Sequence, residues 1–249
     1  MSAVKLDIVK ILLSHGADVN VVCNGTTPLV FACSHENIDL VRCLVKNGAD
    51  IHHPDDNGRT CLMASVGKSM ELALYLLEQG ASINAVDKCG KTALHYAIQE
   101  GYTDTVHFLV EHGTDTSLCT EFHDDALRYA ALQGNEEIVE YLVGESKATV
   151  QRRTDIYSLL GATFVDNNLR LNADQRLPFW IKVVNIHMKE LTADEDRNVP
   201  NPVYNNAVEA RDTESLAAIA GNVDAMRRQA LVVCEHILGP AHHETIGGL

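Results

Sequence analysis

The stretch "DKCGKTALHYAIQEG" (Asp87–Gly101) brings Lys88, Cys89, Lys91 and His95 close together. A thiol and an imidazole are the ingredients of a nucleophile–base pair, and lysines on either side of Cys89 would lower its thiol pKa. A working pair also needs a group that orients the base and a site for the oxyanion, and the sequence offers neither. Cys89 is therefore read either as a mildly reactive, ligand-touching thiol or as an ordinary surface one. Adjacent histidines at His52–His53 and His242–His243 lack the i,i+4 or C-x-x-C spacing of a metal site. No glycine-rich loop precedes a helix in the manner of a phosphate cradle. An enzyme using His52, His53, Cys89 or His95 is a weak reading, a nucleoside or phosphate site a weaker one, and no catalytic residue, metal or cofactor is expected.

The elements around this stretch recur. "GTTPLVFACSHENIDLVRCLVKNGADIHH" begins at Gly25, "GRTCLMASVGKSMELALYLLEQGASIN" at Gly58, "GKTALHYAIQEGYTDTVHFLVEHGTDTS" at Gly90 and "HDDALRYAALQGNEEIVEYLVGE" at His123, spaced 33, 32 and 33 residues. A second register, "GADVN" at Gly16, "GADIH" at Gly48, "GASIN" at Gly80 and "GTDTS" at Gly113, keeps the same period. A period near 33 with a turn and two helices is the ankyrin signature, and "TALHYA" approaches its T-P-L-H-x-A consensus. Thr27 and Thr92 read as N-caps, and Pro28 sits at a first helical position where a missing N–H costs nothing. Ile38, Val41, Leu44 and Val45 form an apolar stripe at helical spacing. Gly48, Gly80 and Gly113 follow second helices, where a left-handed cap is needed. By resemblance to the ankyrin consensus, Thr92 and His95 form a hydrogen-bonded network bracing neighbouring fingers. The Gly58 repeat is one residue short around "SVGKSM", so its inter-helix turn should shift.

Composition agrees with a helical protein: 46% of the 249 residues are hydrophobic but only 5% aromatic. The formal charge of −14 disfavours nucleic acid and anionic membranes as partners. "VQRRTD" (Val150–Asp155) is the best basic patch and reads as a solvated helix face. No run of roughly 18 apolar residues marks a membrane span. Seven cysteines without a C-x-x-C pair fit a reducing compartment, so a cytoplasmic or nuclear location is expected. The chain opens on "LDIVKILLSHGADVN", a second helix and finger with no first helix before it. Since arrays need capping repeats, a truncation or incomplete product of a longer protein is expected, with self-association as a consequence of exposed apolar surface.

Residues 1–146 are thus assigned to ankyrin repeats, the first partial, and 147–249 to a further helical region. "ATVQRRTDIYSLLGATFVDNN" reads as one amphipathic helix carrying Ile156, Leu159 and Leu160 on one face and continuing past Gly161. "LPFWIKVVNIHMKEL", with the sole tryptophan Trp180, reads as a second helix, and "TADEDRNVPNPV" as a loop. "TESLAAIAGNVDAMRRQALVVCEHILG" reads as a helix pair broken near "AGNVD".

An ankyrin array followed by "LLGATFVD" and then "AMRRQALVVCEHILGPAHHET" resembles the Fem (feminisation) family. Its members carry a similar L-L-G-A/S-T/S helix and a later M-R-x-Q-A-L segment that begins a tetratricopeptide-like region. "CLMAS" at Cys61 and "KCGKTAL" at Lys88 also resemble that family's repeat junction. The resemblance implies an all-α fold, an ankyrin-repeat solenoid of helix-turn-helix repeats with hairpin fingers, then a tetratricopeptide-like helical region. It further implies a substrate receptor of a cullin-RING E3 ubiquitin ligase, with no active site of its own. Such a receptor binds C-terminal degrons in the concave ankyrin groove and meets its ligase adaptor subunits in the full-length protein.

The family's groove repeat reads near S-T-P-L-R-A-A-C-F/Y-D-G, against "TTPLVFACSHE" here. Its serine falls on Thr26, its carboxylate-binding arginine on Val30, its aromatic on Ser34 and its acid on His35. Loss of that arginine removes charge-assisted bonds worth about 1.5–3 kcal/mol each. The remaining candidate peptide-binding residues lie at finger tips and on the inner faces of first helices: Asp55, Asp56, Arg59, Met63, Lys88, Cys89, Lys91, His123, Asp124 and Arg128. "HPDD" (His53–Asp56) beside Arg59 is the most polar finger and is suited to a basic peptide. The alternative is an ankyrin scaffold that binds an unrelated protein, with no degron or ligase role.

Overall fold

A computed structural model describes residues 3–146, 148–166, 214, 215, 218 and 223–238. The helix expected around Trp180, the loop after it and the first half of the C-terminal helix pair lie outside the described residues. The chain divides into two units, Met1–Ala126 and Leu127–Leu249. No strand occurs among the described residues; a single antiparallel bridge joins Cys23 and Thr26.

In the first unit, α1 (Ala3–Ser14) precedes three helix pairs: α2 (Pro28–Ser34) with α3 (Ile38–Lys46), α4 (Cys61–Ser65) with α5 (Met70–Glu78), and α6 (Ala93–Gln99) with α7 (Thr103–Glu111). The short first helices stack α2 on α4 on α6, and each packs on its own second helix. Small residues at the contacts permit the close approach. Ala32, Cys33, Cys61, Ala64, Ala93 and Ala97 are all buried, interleaved with Leu29, Leu62, Leu94 and Ile98. Stacking covers α3 and its successors more fully than α1, where Ile8, Ile11 and Leu12 stay 51%, 57% and 54% exposed.

Local chemistry sets the helix ends. Thr27, Thr60 and Thr92 each accept the N–H three residues on, to Val30 (3.3 Å), Met63 (3.4 Å) and His95 (3.4 Å). Second helices end in a repeated Schellman cap. At Gly48 (φ 86°) the N–H donates to Val45 O at 3.0 Å, and the Ala49 N–H returns to Leu44 O at 3.0 Å. The same pair of bonds recurs at Gly16, Gly80 and Gly113.

Between helices the chain forms fingers that hydrogen-bond to one another through the main chain. Asp56 N donates to Gly25 O (2.7 Å), Lys88 N to Asn57 O (3.1 Å) and Glu121 N to Cys89 O (2.8 Å). The glycine at each tip has two reasons to be glycine. Gly58 and Gly90 have φ of 82° and 75°, and a Cβ there would stand 2.9 Å from Lys88 N and 2.8 Å from Cys119 O. His123 holds the corresponding conformation without being glycine, at φ 64°.

The short repeat loses two residues from α4, five against seven in α2 and α6, and its turn before α5 is one residue longer. Its turn passes through Gly67 (φ 67°), where a Cβ would run into the Tyr102 ring of the next repeat.

From α8 (Ala126–Leu132), which starts at the last residue of the first unit, and α9 (Glu136–Glu145) the pattern continues, followed by α10 (Val150–Asp166) and α11 (Val223–Leu238). Ile156, Leu159 and Leu160 are buried on α10, which runs through Gly161, and α10 packs against α11. On α11 Ala230, Val233 and Cys234 make the buried stripe. The segments "LLGATFVD" and "QALVVCEHIL" therefore sit on two helices that pair with each other. Thr163 Oγ1 ties α10 to Ala131 O (3.0 Å), and Tyr157 O–H donates to Glu140 Oε2 (3.2 Å). Arg152 and Arg153 are half-buried on α10 rather than fully solvated.

Candidate peptide interface

Each finger is folded by the side chain that opens it. Asp55 Oδ1 accepts from the N–H groups of Asn57 (2.9 Å) and Arg59 (2.8 Å). Asp87 Oδ1 repeats this with Cys89 (2.8 Å) and Lys91 (2.8 Å). In the third finger Thr120 Oγ1 takes the Phe122 N–H at 3.3 Å. These bonds raise the tips and place Arg59 and Lys91 at equivalent positions, directly before their helix N-caps.

The two cations meet at one ring. The Arg59 guanidinium lies over Tyr96 at 5.0 Å from the ring centroid, and Lys91 Nζ stands 5.9 Å from the same centroid. Tyr96 is anchored from below by its O–H, which donates to Asp87 Oδ2 at 2.8 Å; Lys91 Nζ donates to Gln99 Oε1 at 2.7 Å. Burial and the Asp87 carboxylate push the Tyr96 hydroxyl up, so the ring stays neutral. Arg59 Nε is buried without a hydrogen-bond partner among the described residues. Tyr96 and Gln99 were not among the sequence candidates. The available signal was cations in register one repeat apart, with an aromatic on the following first helix.

His35, Asp56, Lys88, Cys89 and His123 are exposed, while Thr26, Ser34, Asp55, Arg59 and Lys91 are half-buried. Val30, Met63 and Asp124 are 4%, 1% and 1% exposed, so their side chains offer a ligand almost no surface. Val30 and Met63 occupy the position held by His95 in the next repeat, the third residue of a first helix. From there a side chain reaches back to its own N-cap: Met63 sulfur accepts the Thr60 N–H at 3.5 Å. Arg128, half-buried on α8, belongs to the second unit.

Ser34 and His35 serve the end of α2. Ser34 O–H and the His35 Nδ1–H both reach Phe31 O at 2.9 Å, and the His35 ring stacks on Phe31 at 4.1 Å. His15 to Ile11 O (2.8 Å) and His112 to Phe108 O (2.7 Å) repeat the device. Histidine here takes up a carbonyl left over at a helix C-terminus.

Cys89 and His95 do not form a reactive pair. His95 is 1% exposed, and its Nδ1 accepts the Thr92 N–H (3.2 Å) and lies 2.9 Å from the Thr92 hydroxyl. Burial lowers its pKa, although the Asp124 main chain and Asp125 favour a proton. The expectation that lysines activate Cys89 is corrected: Glu121, some burial and Asp87 raise the thiol pKa, and Lys91 opposes them only weakly. Glu121 belongs to the neighbouring finger, which the linear sequence does not bring near.

Cys33 and Cys61 meet in the core between α2 and α4, where Cys61 Sγ also reaches Ile51 O at 3.3 Å. The Cys61 sulfhydryl and burial push the Cys33 thiol up, as befits inert structural sulfur. Among the described residues no group of three or more His, Cys, Asp or Glu side chains could hold a metal, and no helix is long and apolar enough to cross a membrane. An open groove of about 410 Å³ runs between α1 and α3, with Lys10, Arg42 and Lys46 among its walls. Arg42 there pairs with Glu71 at 2.9 Å.

The family description "Ankyrin repeats (3 copies)" matches residues 1–87 and 64–154. Protein fem-1 homolog C of Homo sapiens is 34% identical over 109 residues, covering 43% of this chain and 17% of that protein. Protein fem-1 homolog A of Danio rerio is 35% identical over 110 residues, covering 43% and 18%. Protein fem-1 homolog C of Danio rerio is 34% identical over 108 residues, covering 43% and 17%. The chain thus spans less than a fifth of the length of these relatives. Repeats of this kind bind proteins, which marks a protein-interaction module. The chain belongs to the ankyrin-repeat family, as a divergent relative of the fem-1 proteins.

Proposed function

We propose that this chain recognises a peptide segment of a partner protein across the fingers and first helices of its first unit. In this reading it acts as the substrate-recognition part of a cullin-RING ubiquitin ligase that reads C-terminal degrons. The support is the likeness to fem-1 homologues, together with a row of accessible polar side chains at finger positions: Asp56, Arg59, Lys88, Cys89, Lys91 and His123. The ligase adaptors would be met by other parts of the full-length protein, beyond the described tetratricopeptide-like candidate helices α10 and α11.

One observation favours a second reading, an ankyrin scaffold without degron or ligase role. Val30 replaces the arginine expected to hold the terminal carboxylate, and it is buried with no donor to offer. Peptides with free C-termini, displayed beside the same peptides amidated, separate the two. Binding that requires the free carboxylate supports the receptor reading. Binding indifferent to amidation supports the scaffold. If Val30→Arg confers carboxylate-dependent binding that the native chain lacks, the degron pocket has been lost here.

A further inference from the structure

The Arg59–Tyr96–Lys91 cluster has the properties of a site awaiting an anion. The Arg59 Nε is buried with no hydrogen-bond partner among the described residues. A half-buried guanidinium with an unmet donor is held at a cost unless something pairs with it. Stacking on Tyr96 fixes the plane of the fork, which lowers the entropy lost when it closes on a planar carboxylate.

The acids on either side of the cluster are already engaged, Asp55 through Oδ1 with the Asn57 and Arg59 N–H groups. Asp87 spends Oδ1 on the Cys89 and Lys91 N–H groups and Oδ2 on the Tyr96 hydroxyl. Lys91, on the same ring, adds a second positive charge within reach of the same space. Arg59 and Lys91 thus put two positive charges at one ring, beside Asp55 and Asp87, in a chain of net charge −14.

We propose that Arg59, on its Tyr96 platform and assisted by Lys91, binds the carboxylate of an aspartate or glutamate side chain within the bound peptide. This inference rests on the reading of the fingers as a peptide interface and reverses the expectation that this finger favours a basic ligand. The site lies one repeat beyond Val30 and is separate from any recognition of a chain terminus. The side-chain source is favoured because Arg59 is half-buried, its guanidinium held over Tyr96 on α6. A carboxylate on a flexible arm can enter there while the peptide backbone crosses the tips.

The test uses a library of acetylated, C-terminally amidated dodecapeptides, so that no terminal carboxylate is present. Selected binders are remade with each Asp or Glu replaced by Asn or Gln and measured by fluorescence anisotropy. We expect enrichment of an acidic position and a loss of roughly tenfold to hundredfold in affinity on its neutralisation. Arg59→Gln should abolish that difference, and Arg59→Lys should restore little of it, since the fork and the stacking are lost. Thermal melts establish that each variant is folded; Arg59→Lys keeps the positive charge. Binders whose affinity ignores both the neutralisation and Arg59→Gln overturn this inference while leaving the interface standing. If only free-terminus peptides bind, the acid is the terminus and the inference is wrong. Failure of every peptide, free or amidated, overturns the inference and the peptide-interface reading together.

Discussion

Finger stacking can be measured with one pair of substitutions, Gly90→Ala and Gly80→Ala. Both glycines sit at positive φ, 75° and 94°, so alanine at either carries the left-handed penalty of roughly 1–2 kcal/mol. Their surroundings differ. A Cβ at Gly80 meets nothing within 4 Å, whereas at Gly90 it would stand 2.8 Å from Cys119 O and 3.1 Å from Thr120 C. Those neighbours are backbone and cannot swing aside as a side-chain tip would. Relief requires the two fingers to part, which breaks the 2.8 Å bond from Glu121 N to Cys89 O, worth about 1 kcal/mol. Adding about 1–2 kcal/mol for the residual strain puts Gly90→Ala at about 3–5 kcal/mol and Gly80→Ala at about 1–2 kcal/mol. Urea unfolding followed by circular dichroism measures both, and amide exchange at Glu121 reports the broken bond directly. Equal destabilisation by the two alanines, with Glu121 still protected, would refute the claim that close approach of fingers dictates glycine at their tips.

Other predictions concern the Thr92–His95 network and Cys89. Thr92→Val removes the cap on the His95 N–H and the hydroxyl beside its ring, both buried, and should cost about 2 kcal/mol, against about 1 kcal/mol for Thr27→Val, whose hydroxyl caps the Val30 N–H. Because burial lowers the His95 pKa, the unfolded chain takes up the proton first. Stability from this residue is therefore complete above the ordinary histidine range and lost as pH falls through it. His95→Gln should flatten the pH dependence between about 7.5 and 5.5, read from urea midpoints. Glu121 is the leading cause of the raised Cys89 thiol, so Glu121→Gln should speed iodoacetamide alkylation of Cys89 at pH 7.5, followed by peptide mass spectrometry. An unchanged rate would show that the neighbouring finger does not control this thiol.

The fold was legible because its determinants are local and repeat. A threonine before a helix caps it wherever the helix packs, and Gly48 or Gly113 ends a helix through bonds spanning six residues. Thirty-three residues later the same chemistry returns, and periodicity does the rest. The long α10 was readable for the same reason, from Ile156, Leu159 and Leu160 on one face. The interface was less legible because stacking brings together residues a full repeat apart. Lys88 and Lys91 flank Cys89 in the chain, yet Glu121, from the next finger, governs its thiol. Arg59 and Tyr96 are read as unrelated until α4 and α6 stack and lay one over the other. Val30 and Met63 share a repeat position with His95, whose burial already pointed inward. Their side chains follow it into the core, where the linear pattern had suggested ligand contact. The histidine caps at His15, His35 and His112 escaped notice because histidine has no strong place in the usual helix-end vocabulary, although its spacing from the carbonyl, four residues, is constant.

The central claim is that ligands engage the fingers and first helices of the first unit. Amide hydrogen exchange of the whole chain, with and without a saturating peptide from the amidated or free-terminus library, tests it most directly. The account predicts added protection at Asp55–Arg59, Asp87–Lys91 and the start of α6, with α3, α5 and α7 unchanged. Protection centred instead on the groove between α1 and α3, with the fingers exchanging as before, would contradict it.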